Sequence, residues 1–377
     1  MGLLSLLSDG LKSNIIRPKE PYKLTFAVTL NCNSRCKHCN IWQLRPKNEL
    51  TIDEVRAFVR ANPGFVIVEL TGGEPFLRSD LAEIAKAFAE YSKKLYAITI
   101  PTNSLVNSEV IVNRINEMLK LNKKIVVTLS LDGYRELEDE IRGVKGNYDK
   151  VIALYKRFAE IKKANKNFDF KFGFTMIGLN QGKFLETVKR VKEDLPDVKL
   201  IDFHLNLGAV SEGYYGNNLS LHDTILIDRE KAIKEVEEII KAYKKEMGFT
   251  LDLVVLGEYI YLKGMLEYLK TGKNPFKRLI GEASIYMDSF GNIYPSILVS
   301  KKLGSIREDG YELKKIIEKN MSIIESDDRK HYTFCDEEAS IIGDIPKDIK
   351  LLTLPARSPL SQDRNEKSNN YKYKKQT

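Results

Sequence analysis

Lys23-Leu24-Thr25-Phe26-Ala27-Val28-Thr29-Leu30 runs through Asn31 into Cys32-Asn33-Ser34-Arg35-Cys36-Lys37-His38-Cys39. The first stretch lacks Gly and Pro and is rich in β-branched and apolar residues, so it reads as a buried strand. The second is polar and crowds three cysteines into a loop. Working outward, Phe65–Leu70, Tyr96–Ile100, Lys124–Leu131, Phe168–Ile177 and Lys199–Leu205 read as further strands. Ile52–Ala61, Asp80–Tyr91, Ser108–Leu121, Tyr148–Asn165 and Lys183–Asp194 carry helical periodicity between them. Thr51 and Glu54 form a predicted capping box on the first of these helices. Six apolar strands alternating with amphipathic helices specify right-handed βαβ units and a parallel sheet. The expected fold class is therefore α/β: a partial (β/α)6 TIM-like barrel. In that architecture the site lies at the C-terminal ends of the strands.

The flanking segments differ in character. Apolar residues from Leu3 to Ile15 fall at helical spacing. They suit a short helix docked on the body, or an interfacial helix meeting a membrane. Gly213-Tyr214-Tyr215-Gly216-Asn217 is a loop, followed by a charged helix over Asp228–Glu246. Ser284–Asp288 and Ile293–Val299 flank Ser289-Phe290-Gly291-Asn292, a hairpin signal. The expected division is 1–21 amphipathic segment, 22–210 barrel core, 211–270 helical connector, 271–345 small α+β extension and 346–377 basic tail.

The 377 residues are 43% hydrophobic and 30% charged, as for a globular protein with a real core. No apolar run approaches bilayer length and no secretory signal is read, so a cytoplasmic location is expected. The net charge of +8 owes much to the last segment, where eight basic residues face three acidic ones. Such a tail is more often a solvated end than a binding arm, so nucleic acid is not an expected partner. A peripheral membrane contact stays open.

Four cysteines are too few and too uneven for a disulfide scaffold, and three in eight residues read as metal ligation. Three thiolates can hold three irons of a [4Fe–4S] cluster and leave the fourth iron open. Zinc would need another ligand, and His38 sits between two cysteines where it could hardly reach the same ion. Structural thiols would be expected inside strands, not in a polar loop. A non-catalytic iron–sulfur electron carrier is a further alternative.

Cys-x3-Cys-x2-Cys after the first strand, with an aromatic residue before the last Cys, resembles the radical SAM superfamily signature. That resemblance implies one [4Fe–4S] cluster on Cys32, Cys36 and Cys39, with S-adenosylmethionine chelating the open iron. It implies reductive cleavage to a 5′-deoxyadenosyl radical, which abstracts hydrogen from an organic substrate. An external low-potential donor such as ferredoxin or flavodoxin would supply the electron. His38 fills the position that lies against the adenine. Thr71-Gly72-Gly73-Glu74-Pro75 follows the second strand. A Gly pair lets backbone approach a ligand closely, and the run matches the family's motif for the methionine moiety, assigning Gly72, Gly73 and Glu74 to it. Asn103 after the third strand, Ser130 and Asp132 after the fourth, and Arg142 beyond are expected as further cofactor contacts. A fixed guanidinium suits a carboxylate. Asn180 and Asn206, at the ends of strands five and six, could face cofactor or substrate.

The segment Gly281–Ser296 with Leu303–Glu308 is similar to the SPASM or twitch extension of radical SAM maturases, which carries auxiliary clusters. Ser296 stands where that pattern has a Cys, and Cys335 alone remains of the terminal cysteines. The extension's fold is expected without its cluster, and Cys335 as a buried small residue. The architecture suggests a peptide or protein substrate; the two termini allow instead a membrane lipid or its headgroup.

Overall fold

The computed structural model describes residues 18, 20–211, 213–217, 222–250, 252–277, 279–326 and 332–341. The N-terminal apolar segment and the basic tail lie outside them.

Strands β1 (Lys23–Thr29), β2 (Ile67–Gly72), β3 (Ala97–Thr102), β4 (Lys124–Ser130), β5 (Phe168–Met176) and β6 (Phe203–Leu207) pair in parallel, each with the next. They form an open, partial β/α barrel. Helices α1 (Ile52–Ala61), α2 (Leu81–Tyr91), α3 (Ser108–Leu119), α4 (Glu136–Arg142), α5 (Asn147–Ala164) and α6 (Phe184–Asp194) form the crossovers. On β4 the residues Ile125, Val127 and Leu129 are buried among the helices, while Val126, Thr128 and Ser130 on the other face are only half-buried. That second face is the interior of the open barrel. The capping box on α1 is present, with Thr51 and Glu54 exchanging bonds.

The structure departs from the sequence reading in three places. The sixth strand begins at Phe203, not Lys199, because Leu200–Asp202 winds into a short 3₁₀ turn. The Asp202 carboxylate closes that turn by accepting from Lys199 N at 2.7 Å. In the predicted hairpin, β7 is Ser284–Met287 and β8 only Asn292–Tyr294; Pro295 lacks an N–H to continue a ladder. Most consequentially, β7 is not confined to a separate appendage. It pairs in parallel with β1, Lys23 opposite Ser284 and Thr25 opposite Tyr286. The sheet thus has nine strands in the order β6-β5-β4-β3-β2-β1-β7-β8-β9, with β9 at Gly304–Ser305.

Two long helices, α7 (Arg229–Met247) and α8 (Leu253–Thr271), connect the halves, each N-capped by an aspartate, Asp228 and Asp252. A helix over 334–341 closes the described chain. Lys23, at the start of β1, is buried, and its ammonium holds that helix through Cys335 O at 2.7 Å and Glu338 at 2.6 Å. No described helix is long and apolar enough to cross a membrane.

Candidate functional site

The cysteine loop leaves β1 at the C-terminal edge of the sheet and is held from three sides. On the first side, Gly73 N donates to Thr29 O at 2.7 Å and Glu74 N to Asn31 O at 2.8 Å. The glycine pair makes this approach possible. A Cβ on Gly72 would stand 2.0 Å from Thr29 O, and one on Gly73 would stand 2.2 Å from Asn31 O. The close partner of these glycines is therefore the cysteine-loop backbone, where the sequence reading expected a ligand. On the second side, the end of α4 offers its carbonyls: Arg35 N donates to Arg142 O at 2.9 Å and Lys37 N to Ile141 O at 2.8 Å. Gly143 follows at φ 64°, where a Cβ would meet Arg35 O at 2.5 Å. On the third side, the loop 213–217 grips the last cysteine turn. Asn40 N donates to Tyr215 O at 2.9 Å, and Asn217 Nδ2 to His38 O at 2.8 Å. Tyr214 fixes this loop to β2 through Thr71 Oγ1 at 3.0 Å and Gly72 O at 3.1 Å.

Donors surround the sulfurs. Asn103 Nδ2 lies 3.8 Å from Cys32 Sγ, and Arg142 Nη1 3.7 Å from Cys36 Sγ. Ser34 Oγ is 3.2 Å from Cys36 Sγ. Burial pushes the Cys32 thiol up to about 12 and the Cys39 thiol higher still. Without a metal these thiols stay protonated at neutral pH, so ligation must release their protons. Among the described residues no three Cys, His, Asp or Glu side chains converge on one point, as a mononuclear site demands. A cubane cluster binds each thiolate to a different iron and spreads them. Soft sulfur ligands with N–H and O–H donors around them fit such a cluster.

Glu74 is fully buried and bridges strand ends. It accepts from Asn103 N at 2.7 Å, Thr102 Oγ1 at 3.0 Å and Phe76 N at 3.1 Å. Burial pushes its carboxyl up to about 7 against those bonds. Asp132 and Glu138, both fully buried, flank Arg142, at 2.7 Å and 3.3 Å. Burial would lower the Arg142 pKa, but Asp132, Cys36 and Glu138 outweigh it and raise it. Burial pushes the Glu138 carboxyl up in turn. Asp132 also accepts from Thr175 N at 2.8 Å. Arg142, Asp132 and Glu138 are thus a buried bracket under Cys36. His38 is held neutral by burial, its pKa lowered to about 4, and its buried Nδ1 has no partner. Asn103 reaches Asn33 Oδ1 at 2.9 Å, and Ser130 is half-buried at the end of β4. Asn180 is fully buried and spends its amide on Asp132 O and Thr175 O. Asn206 bonds His204 at 3.1 Å inside the barrel. The sequence reading gave no role to Ser34, Asn217, Glu138 or the two tyrosines. Only the Gly-Tyr-Tyr-Gly-Asn run signalled a loop there.

Residues 26–191 match the model of the radical SAM superfamily. The segment from β1 through α6 thus carries a radical SAM domain. Two Methanosarcina barkeri proteins are similar to it. Fe-coproporphyrin III synthase is 25% identical over 72% of this chain and 66% of its own length. AdoMet-dependent heme synthase is 28% identical over 77% and 81%. The Bacillus subtilis subtilosin biosynthesis protein AlbA is 24% identical over 78% of this chain. This chain spans 66% of the first relative and 59% of AlbA, under two thirds of each. Among solved structures, Streptococcus suis SuiB bound to S-adenosylmethionine aligns with a TM-score of 0.55 at 20% identity, over 80% of this chain and 67% of SuiB. The AdoMet-bound anSMEcpe aligns at 0.57 and 15% identity, over 88% and 99%. At these identities the solved structures show the shared fold.

Proposed function

We propose that Cys32, Cys36 and Cys39 hold a single [4Fe–4S] cluster, that S-adenosylmethionine binds at its open iron, and that the substrate is a peptide or protein. The observation that carries this is the cysteine loop itself, which three separate segments clamp at the C-terminal edge of the sheet. When bound, such a cluster would supply the electron for reductive cleavage of S-adenosylmethionine, and the 5′-deoxyadenosyl radical so released would take a hydrogen atom from the substrate. The chain's own part is positioning. Asn103 and Arg142 donate toward the sulfurs and favour their thiolate forms. The Gly72-Gly73-Glu74 turn seats the loop, and its remaining surface is assigned to the methionine moiety. His38, neutral and with a free ring nitrogen, is assigned to the adenine. Asn103 and Ser130 are further cofactor contacts; Asp132 acts through Arg142.

The hairpin beyond residue 281 is read as a SPASM/twitch-like extension without a cluster. Ser296 is buried and donates to Asp336 Oδ2 at 2.7 Å, a structural role. A peptide substrate is supported by two of the similar proteins: AlbA serves bacteriocin biosynthesis, and SuiB has been solved bound to its precursor peptide SuiA. The few, clustered cysteines support a reducing, cytoplasmic location with an external low-potential donor. The test is anaerobic reconstitution with dithionite and S-adenosylmethionine, assayed for 5′-deoxyadenosine. Product is expected from the parent protein and not from Cys36→Ala. An intact cluster without product sinks the reading.

A further inference from the structure

Because β7 joins β1, the extension contributes directly to the barrel interior. Tyr286 stands opposite Thr25, and Thr25 opposite Glu69, along one row of the sheet. Thr25 Oγ1 donates to Glu69 at 3.2 Å, which puts both side chains on the interior face. Above this row stand the rings of Tyr214 and Tyr215. Their centroids are 4.7 Å apart, and Tyr214 meets Tyr286 edge-on at 5.3 Å. Tyr214 and Tyr286 belong to one small apolar cluster against which Tyr215, Cys335, Cys32 and Cys39 pack, so this part of the barrel interior lies directly beneath the cysteine loop.

Three features of this part of the interior face stand out. Glu69 is half-buried, with Thr25 Oγ1 and the Cys335 thiol as its hydrogen-bond partners and the Lys23 ammonium within electrostatic reach but not in direct contact. The direct contacts of the interior lysines go to other carboxylates, Lys23 to Glu338 at 2.6 Å and Lys171 to Glu258 at 3.8 Å. The Tyr286 hydroxyl is buried and has no hydrogen-bond partner. A buried hydroxyl left unpaired is a cost that a bound group would remove. Finally, Tyr215 is only half-buried and lies within electrostatic reach of Cys39, Cys335 and Glu69.

We propose that this part of the barrel interior is a subsite for a protonated amine or guanidinium on the substrate, with Glu69 as counter-ion and the rings of Tyr214, Tyr215 and Tyr286 beside it. Aromatic faces beside a carboxylate are the environment that stabilises an organic cation away from water. An ammonium brings several donors and no acceptor, which matches a carboxylate together with tyrosine oxygens. A carboxylate-bearing group would meet Glu69 as a like charge. The inference rests on the peptide reading above and narrows it: the segment presented to the cysteine loop carries Lys, Arg or a free amine.

The test is anaerobic binding to the reconstituted full chain. The probes are four pools of ten-residue peptides, random except for a central Lys, Arg, Gln or Glu, with retention read by mass spectrometry. The Lys and Arg pools should be retained on the order of 10-fold better than the Glu pool, the scale of one partly desolvated charge contact. Glu69→Gln should bring the pools within about 2-fold of one another, and Glu69→Lys should turn the preference toward Glu. Iron content and S-adenosylmethionine affinity of each variant report its folding. Should a Glu69 variant fold poorly, Tyr286→Phe serves instead and should weaken the Lys and Arg pools more than the Gln pool. Equal retention of Lys and Glu pools by the parent, or a preference that survives Glu69→Gln, overturns the proposal. The 5′-deoxyadenosine assay is read separately. Charge-selective binding without product sinks the catalytic reading and keeps the subsite; product without selectivity sinks the subsite alone.

Discussion

Gly73→Ala isolates the contact between the glycine turn and the cysteine loop. Gly73 does not have a positive φ, so an alanine there suffers no backbone strain of its own. What it meets is Asn31 O at 2.2 Å, Asn31 C at 2.6 Å and Cys32 Cβ at 3.0 Å. Relieving the first of these requires the loop to retreat by roughly 1 Å, since ordinary carbon contacts lie near 3.5 Å and only the tightest come closer. Glu74 N donates to that same Asn31 O at 2.8 Å, so the retreat breaks this bond. Overpacking at about 1–3 kcal/mol and a lost hydrogen bond at about 1 kcal/mol give a cost of about 2–4 kcal/mol. The displaced residue adjoins Cys32, so the thiol moves with it. Gly146→Ala is the control. Gly146 has φ 77°, and nothing lies within 4 Å of the place its methyl would take, so it tests strain without contact. It should cost about 1–2 kcal/mol and leave iron incorporation at the parental level. The assays are urea unfolding of the cluster-free proteins and iron and sulfide content after reconstitution. Gly73→Ala should fall clearly below parental iron content. Parental iron with an unshifted urea midpoint would refute the reasoning.

Arg142→Met leaves Asp132 and Glu138 buried without their cation and should destabilise the protein by about 3–5 kcal/mol in urea unfolding. Adding Asp132→Asn should recover part of that loss. Glu74 has a folded pKa raised by burial to about 7 from an ordinary 4.5, so its contribution to stability is full below pH 4.5 and is lost as pH rises through 7. In the cluster-free protein Glu74→Gln should flatten that pH dependence, worth on the order of 3 kcal/mol, as read from urea midpoints between pH 4.5 and 8. Ser296→Cys should leave iron content at the parental level, because one added thiol beside Cys335 cannot hold a second cluster; doubled iron would contradict the single-cluster reading.

The barrel was legible because its signals are local. Thr51 and Glu54 cap α1 through bonds three residues apart, and β1 announces itself by seven consecutive residues that are all buried. Helix α4 gave no such signal. Its sequence Glu-Leu-Glu-Asp-Glu-Ile-Arg has two apolar residues, and it is placed by what it supports, the Arg142 bracket and the carbonyls under Arg35 and Lys37. The glycine pair was legible as a close approach but not as to what approaches. A missing Cβ records only that space is taken, and the occupant here is another stretch of backbone. Arg142 likewise announced a carboxylate partner, and the structure gives it two from its own chain.

The partner of β7 was out of reach for a related reason. Ser284–Met287 is four residues, enough to suggest a strand and too few to specify which edge it joins. What specifies it is nonlocal: Tyr22 N and Lys23 N both donate to Ala283 O at 3.0 Å, and buried Lys23 ties the same edge to the helix over 334–341. This makes the extension part of the barrel's stability. A chain ending before Ser284 would expose the β1 edge and leave the Lys23 ammonium without Glu338, its direct partner. An unpaired parallel edge is a template for aggregation, and a buried cation stripped of its partner is strongly destabilising. Such a chain should therefore be recovered insoluble, while Lys23→Met in the full chain, which keeps the strand pairing, should remain soluble. A soluble, monomeric, iron-binding fragment 18–283 would show instead that the six-strand barrel is complete without β7.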